Sequence, residues 1–192
     1  MQRLRIDAPA CLLGALALLL LPFNWIISAV MAALWHEGCH WLALKLCGCR
    51  CYGISVGREG AVLETEFGTP AKEALCAIAG PLGSILLLLF FHWIPRIAIC
   101  ALIQGLYNLI PVYPLDGGRL VRSLLQILVK NGKQSSVMTC IEAGSMLIMV
   151  ILSLYCLIVL QLGYLPLIFV SILFYRVFQR KLSCKEVQLA VQ

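Results

Sequence analysis

The sequence predicts an all-α polytopic membrane protein of about six transmembrane helices, with one small β-hairpin between the second and third. Three observations carry this. The chain of 192 residues is 61% hydrophobic and 12% charged, with a mean hydropathy of +0.94, a balance that a water-soluble domain of this size does not sustain. Its charge-free runs, Ala8 to Trp35, Ala74 to Pro95, Ile97 to Leu115 and Ala143 to Tyr175, supply segments of the roughly 20 residues that cross a bilayer. Its basic residues cluster between alternate runs.

The helices are expected at about 4–21, 25–47, 73–94, 97–113, 136–161 and 164–179. The first and last charge-free runs are long enough to fold back on themselves, and Pro22-Phe23-Asn24, Pro95-Arg96 and Gly163 to Pro166 provide short turns. One stretch alternates like a strand instead. Cys51-Tyr-Gly-Ile-Ser-Val and Ala61-Val-Leu-Glu-Thr-Glu-Phe flank Gly57-Arg-Glu-Gly60, which reads as a hairpin turn. Residues 1–180 form one membrane domain, and 181–192 a short cytoplasmic tail.

Charge orients the bundle. With the N-terminus in the cytoplasm, the cytoplasmic segments hold Arg3 and Arg5; Lys45, Arg50, Arg58 and Lys72; Arg119, Arg122, Lys130 and Lys133; and Arg176, Arg180, Lys181 and Lys185. Only Arg96 among the fifteen basic residues falls outside, so the positive-inside rule puts both termini in the cytoplasm of a multi-pass protein of the cell membrane. The net charge of +6 is thus topological and does not call for a nucleic-acid partner. No small-x-small cleavage site follows the first apolar run, which argues against a cleaved signal peptide. The ten cysteines are scattered through spans and cytoplasmic edges, where thiols stay reduced and pack as small apolar residues.

Chemistry enters at Trp35-His36-Glu37-Gly38-Cys39-His40, which writes His-Glu-x-x-His inside an apolar helix. Positions i and i+4 share a helix face, so His36 and His40 can aim imidazole nitrogens at one metal, with Glu37 beside them as general base. Two histidines and a glutamate in a membrane span are costly, and packing or pore histidines are the bland alternative. A hydrolytic zinc site needs a third ligand and an open position for water. His92 lies near the external end of a span, and the spans and their edges hold three acids, Glu37, Asp116 and Glu142. Asp116 stands out, because Pro111 and Pro114 break the helix before it and Gly117 and Gly118 relax the backbone after it. Broken backbone at membrane depth is tolerated where it lines a cavity. The bland alternative is that Asp116 merely caps the helix running on to Lys130, and capping does not exclude ligation.

These residues resemble the paired signature of the site-2 proteases, intramembrane zinc metalloproteases of peptidase family M50. The resemblance rests on His36-Glu37-Gly38-Cys39-His40, on Asn108-Leu-Ile-Pro-Val-Tyr-Pro-Leu-Asp-Gly-Gly118, and on Ala79-Gly80-Pro81-Leu82-Gly83-Ser84 between them. It covers residues 1 to about 180, and members often carry Asn where this chain has Ser84. The wording of the second motif is most similar to the stage IV sporulation protein FB branch, without the nucleotide-sensing domain that follows the membrane part there.

The resemblance implies one Zn2+ per chain held by His36, His40 and Asp116, Glu37 as the catalytic base, and Asn108 as a substrate-binding residue. The implied activity is hydrolysis of peptide bonds in membrane-embedded or membrane-associated proteins near the cytoplasmic face, with a sigma-factor precursor as the substrate in the sporulation branch. Partners implied are the lipid bilayer, the protein substrate and a membrane regulatory protein. An exposed edge of the expected hairpin can hold a substrate extended as an added strand. A non-catalytic alternative is a helix-binding or transport protein that uses the same polar cavity; an intact Glu37 favours the enzyme. Glu142 is expected to face the bundle or the cytoplasmic interface, and the aromatic residues at span ends to anchor at the membrane surface.

Overall fold

The structure, a computed structural model, describes residues 22–57, 60–129, 132–159, 161, 166–168, 170–175 and 177. The first expected helix, the expected tail and the hairpin turn at 58–59 lie outside them.

Helix α1 runs Phe23–Leu46. Its end is set by Gly48, whose φ of +62 suits a residue without Cβ and lets the Cys49 N–H reach back to the Leu44 carbonyl at 3.0 Å. The buried residues of α1, Ser28, Ala32, His36, His40 and Leu44, recur every fourth position and form one inward stripe. Ile27, Val30, Met31, Leu34, Trp41 and Leu42 are exposed. A helix that turns histidines inward and large hydrophobes outward is inverted relative to the usual pattern in water.

After α1, strands β1 (Arg50–Gly57) and β2 (Gly60–Glu66) pair antiparallel. Ile54 faces Leu63 and Val56 faces Ala61 across the ladder, with an irregularity between Cys51 and Gly53. Among the described residues the sheet has two strands, so each keeps one edge without a strand partner there.

Helix α2 spans Pro70–Leu86 and tightens into a 3-10 turn over Leu87–Phe90. Thr69 caps it by accepting from the Lys72 N–H at 3.4 Å, with Pro70 in the first turn. Helix α3, Pro95–Asn108, begins on the proline that was expected in the turn, because a first-turn position needs no N–H donor. It stops at Asn108 instead of reaching 113, since Pro111 and Pro114 cannot supply ladder donors. Helix α4 is Asp116–Leu128. Leu115 takes the capping position and Asp116 the first helical one, so the alternative reading of Asp116 as the cap of this helix does not hold. A carboxylate there complements the helix dipole. Helix α5 is Gln134–Ile158, and helical residues at 166–168 and 170–175 fall within the expected last span.

Among the described residues, Pro70–Phe90 and Gln134–Ile158 are helices long and apolar enough to cross a membrane. Helix α3 is shorter, about 21 Å at 1.5 Å per residue against ~30 Å of hydrocarbon. Helix α2 is central and packs against α1, α3 and α4. Small residues permit the close approach: a Cβ on Gly105 would meet Ser84 and the Pro81 carbonyl, the kind of contact that holds helices together without a hydrophobic drive. A cluster of Val112, Leu115, Met146 and Leu173 fastens the segment between α3 and α4 to α5.

Candidate metal centre

His36 and His40 lie one turn apart on the buried stripe of α1, with ring centroids 4.8 Å apart and planes at 82°. Their Nε2 atoms are 3.2 Å apart. Asp116 approaches from the start of α4, its Oδ2 3.1 Å from Nε2 of His36 and 3.0 Å from Nε2 of His40. Among the described residues this is the one group of three ligand-bearing side chains whose donor atoms lie within 4.8 Å of one another.

The opposite ring edges explain the arrangement. Nδ1 of His40 is 2.7 Å from the carbonyl oxygen of Cys76. A carbonyl only accepts, so the proton sits on Nδ1 and the Nε2 lone pair points toward Asp116. Nδ1 of His36 is 2.9 Å from Ser84 Oγ, which can accept in the same way. Two ring nitrogens and a carboxylate oxygen then face one another at 3.0–3.2 Å, and with both rings neutral and protonated on Nδ1 all three would turn lone pairs inward. A cation suits that geometry, and tetrahedral bonds of 2.0–2.1 Å to zinc would set ligand atoms about 3.3 Å apart. The donor set of two imidazoles and one carboxylate also fits zinc. The residues present therefore fit the metal that the sequence implies.

Helix α2 shapes the pocket by what it lacks. A Cβ on Gly80 would collide with the His40 ring, and one on Gly83 with Cys39 Sγ. Pro81 removes the N–H that would bind the Ala77 carbonyl, loosening the turn beside the Cys76 carbonyl that holds His40. The Trp35 Nε1–H donates to the Gly83 carbonyl at 2.8 Å. Cys39 thus packs against α2, as a small residue between the two histidines should. On the other side, Cβ atoms on Gly117 and Gly118 would strike the backbone of Leu109 and of Val112 and Tyr113, so the paired glycines let α4 fold back tightly and carry Asp116 inward.

Asn108, the last residue of α3, brings Nδ2 to 3.1 Å from His36 Nε2. Glu37 is exposed beside the buried His36. His92 is exposed near Trp93 and is not part of the cluster. Residue-type reasoning did not find the Cys76 carbonyl, because a backbone acceptor leaves no mark in sequence. Ser84 was visible only as a variation within a motif.

The fold and site thus define a helical protein with a buried two-histidine, one-aspartate candidate metal centre, its ligands drawn from two helices. The family model for peptidase family M50 matches residues 77–152, a stretch that includes Asp116 but not His36 to His40. Among solved structures, the chain is similar to the site-2 protease from Methanocaldococcus jannaschii, at 22% identity and a TM-score of 0.57, covering 88% of this chain and 84% of that one. At that identity the likeness is one of fold. Comparison with curated protein sequences gives no match.

Proposed function

We propose that this chain is an intramembrane zinc endopeptidase of the site-2 type, with His36, His40 and Asp116 as ligands, Glu37 as general base and Asn108 as a substrate-binding residue. The observation that carries the reading is the convergence of two imidazole nitrogens and one carboxylate oxygen at 3.0–3.2 Å from residues as much as eighty positions apart. The match of residues 77–152 to peptidase family M50 supports it independently, since that match does not draw on the two histidines.

When bound, zinc supplies a Lewis acid that makes a water-derived nucleophile available near neutral pH and polarises a peptide carbonyl. Glu37, exposed next to the buried His36, takes the proton from the attacking water and returns it to the leaving amine. Asn108 offers an amide donor beside His36, where it can hold a substrate carbonyl or the charge that develops on it. The Cys76 carbonyl and the Ser84 hydroxyl hold the two imidazoles in the tautomer that ligation needs. The free edge of the hairpin offers backbone groups to a substrate segment unwound into an extended strand. The chain lies in the cell membrane with both termini cytoplasmic, as the basic residues argue. An inactive sigma-factor precursor, the substrate class of the sporulation branch this sequence resembles, is the first candidate to test, and a membrane protein is the expected regulator.

The test is reconstitution in proteoliposomes with a panel of single-span reporter proteins and with Glu37→Gln. Wild type should bind one zinc and cleave, while Glu37→Gln should keep the zinc and lose at least ~100-fold in turnover. Normal turnover in Glu37→Gln, or wild-type protein that takes up no zinc, would sink the reading.

A further inference from the structure

Glu142 lies in α5, a helix of membrane-spanning length, and is only 5% exposed. A carboxyl group is costly to bury there and persists where it has a task. Its Oε1 accepts a hydrogen bond at 3.3 Å from the Tyr113 N–H. Tyr113 stands three residues before Asp116, in the segment that joins α3 to α4. That segment has no helical ladder: its described internal bonds are short turns, Val112 N–H to the Ile110 carbonyl and Leu115 N–H to the Val112 carbonyl. A backbone donor in such a segment must find an acceptor elsewhere when water is scarce. Glu142 provides it from a different helix.

The surroundings focus this contact on the ligand. Gly118 packs so closely that a Cβ would strike the Tyr113 nitrogen and Val112, so the start of α4 bears on the same backbone that Glu142 holds. One turn after Glu142, Met146 joins Val112, Leu115 and Leu173 in a buried cluster. Arg122 of α4 lies over the Tyr113 ring at 5.6 Å. Asp116 is thus carried on a segment that the Tyr113–Glu142 hydrogen bond and an apolar cluster tie to α5.

We propose that Glu142 is a positioning residue for the metal-binding acid, pinning the 109–115 segment through the Tyr113 N–H so that the Asp116 carboxylate stays in reach of both histidines. The role in metal binding rests on the zinc reading above; the anchoring does not. What matters is an acceptor oxygen at residue 142, and the partner of a ligand-bearing element typically governs metal affinity by ~10–100-fold.

Full-length protein in detergent, as Glu142→Gln and Glu142→Met, tests this. Gln keeps an acceptor oxygen, whereas Met fills a similar volume without one. In metal-free protein, Glu142→Met should speed amide exchange of the peptide covering 109–116 by about tenfold, the loss of one hydrogen bond to a carboxyl, while Glu142→Gln should not. In zinc competition against a chelator, Glu142→Met should bind ~10–100-fold more weakly and Glu142→Gln within roughly threefold of wild type. Unchanged exchange in Glu142→Met, or equal losses in both variants, would overturn the proposal. So would a Glu142→Gln protein that folds but loses zinc. If wild type takes up no zinc while exchange still separates the two variants, the zinc reading fails and the anchoring stands.

Discussion

The imidazole of His40 is held by the backbone of Cys76: its Nδ1–H donates to that carbonyl oxygen at 2.7 Å, from one helix to the next. This single bond decides which ring nitrogen faces Asp116, and it depends on α2 lying close enough for a carbonyl to reach a side chain of α1. Gly80 makes that distance available, since any Cβ there would occupy the space of the His40 ring.

Gly80→Ala should therefore act on the metal site without replacing a ligand, by pressing on the His40 ring. Overpacking of this kind costs about 1–3 kcal/mol, here relieved most easily by swinging His40 away from Cys76 and Asp116. The expected result is loss of most bound zinc by elemental analysis in a protein that still inserts and purifies, with Gly38→Ala, where a Cβ meets nothing within 4 Å, keeping its zinc. Full zinc occupancy in Gly80→Ala would refute this account of the Gly-Pro motif.

Ser84→Ala removes the partner of His36 Nδ1 at a site where Ser84 is fully buried. Zinc affinity should fall ~10–100-fold. Ser84→Asn, the residue that resembling proteins often carry there, retains an acceptor and should fall less. Equal affinities in wild type and Ser84→Ala, measured by chelator competition, would mean that the hydroxyl plays no part in orienting the ring.

Topology is open to labelling. In a cysteine-free background, single cysteines near Arg58 and Lys185 should be protected from an impermeant thiol reagent in intact cells, and one near Arg96 should react. The opposite pattern would invert the proposed orientation and move the site to the other face.

The hairpin offers a backbone test. If a substrate strand adds to its free edge, prolines placed one at a time through Ile54 to Val56 and Val62 to Glu64 should reduce cleavage at every other position of the pairing strand, with alanine at the same positions milder. Zinc content serves as the folding control. Uniform tolerance of proline on both strands would shift attention to Asn108 as the group that holds substrate.

The side chains of the site were legible in sequence because their chemistry is costly in an apolar chain: His36, His40 and Asp116 have few competitors among the titratable residues of the spans, and spacing on one helix joins the first two. The break after Asn108 was legible from Pro111 and Pro114, although the proposed helix overran it by five residues, since an apolar run shows where a chain avoids water and not where its ladder ends. Pro95 was misplaced for a related reason, as proline both ends and begins helices. The Cys76 carbonyl and the Tyr113 amide were not legible at all: every residue carries such groups, and only the packing of α2 and α5 selects which ones serve. Glu142 was legible as an anomaly, but its partner was not.

The wide separation of the ligands in the chain bears on how the protein is made. On the proposed membrane topology His36 and His40 enter the bilayer with α1, whereas Asp116 follows eighty residues behind His36, after α2 and α3 have been synthesised. On the proposed reading, a growing chain carries an incomplete coordination set through most of its insertion, and hydrolytic competence arises only when the later helices dock. Assembly itself then acts as the safeguard: an unfinished or misinserted copy has the motif of a protease and none of its reactivity toward neighbouring membrane proteins.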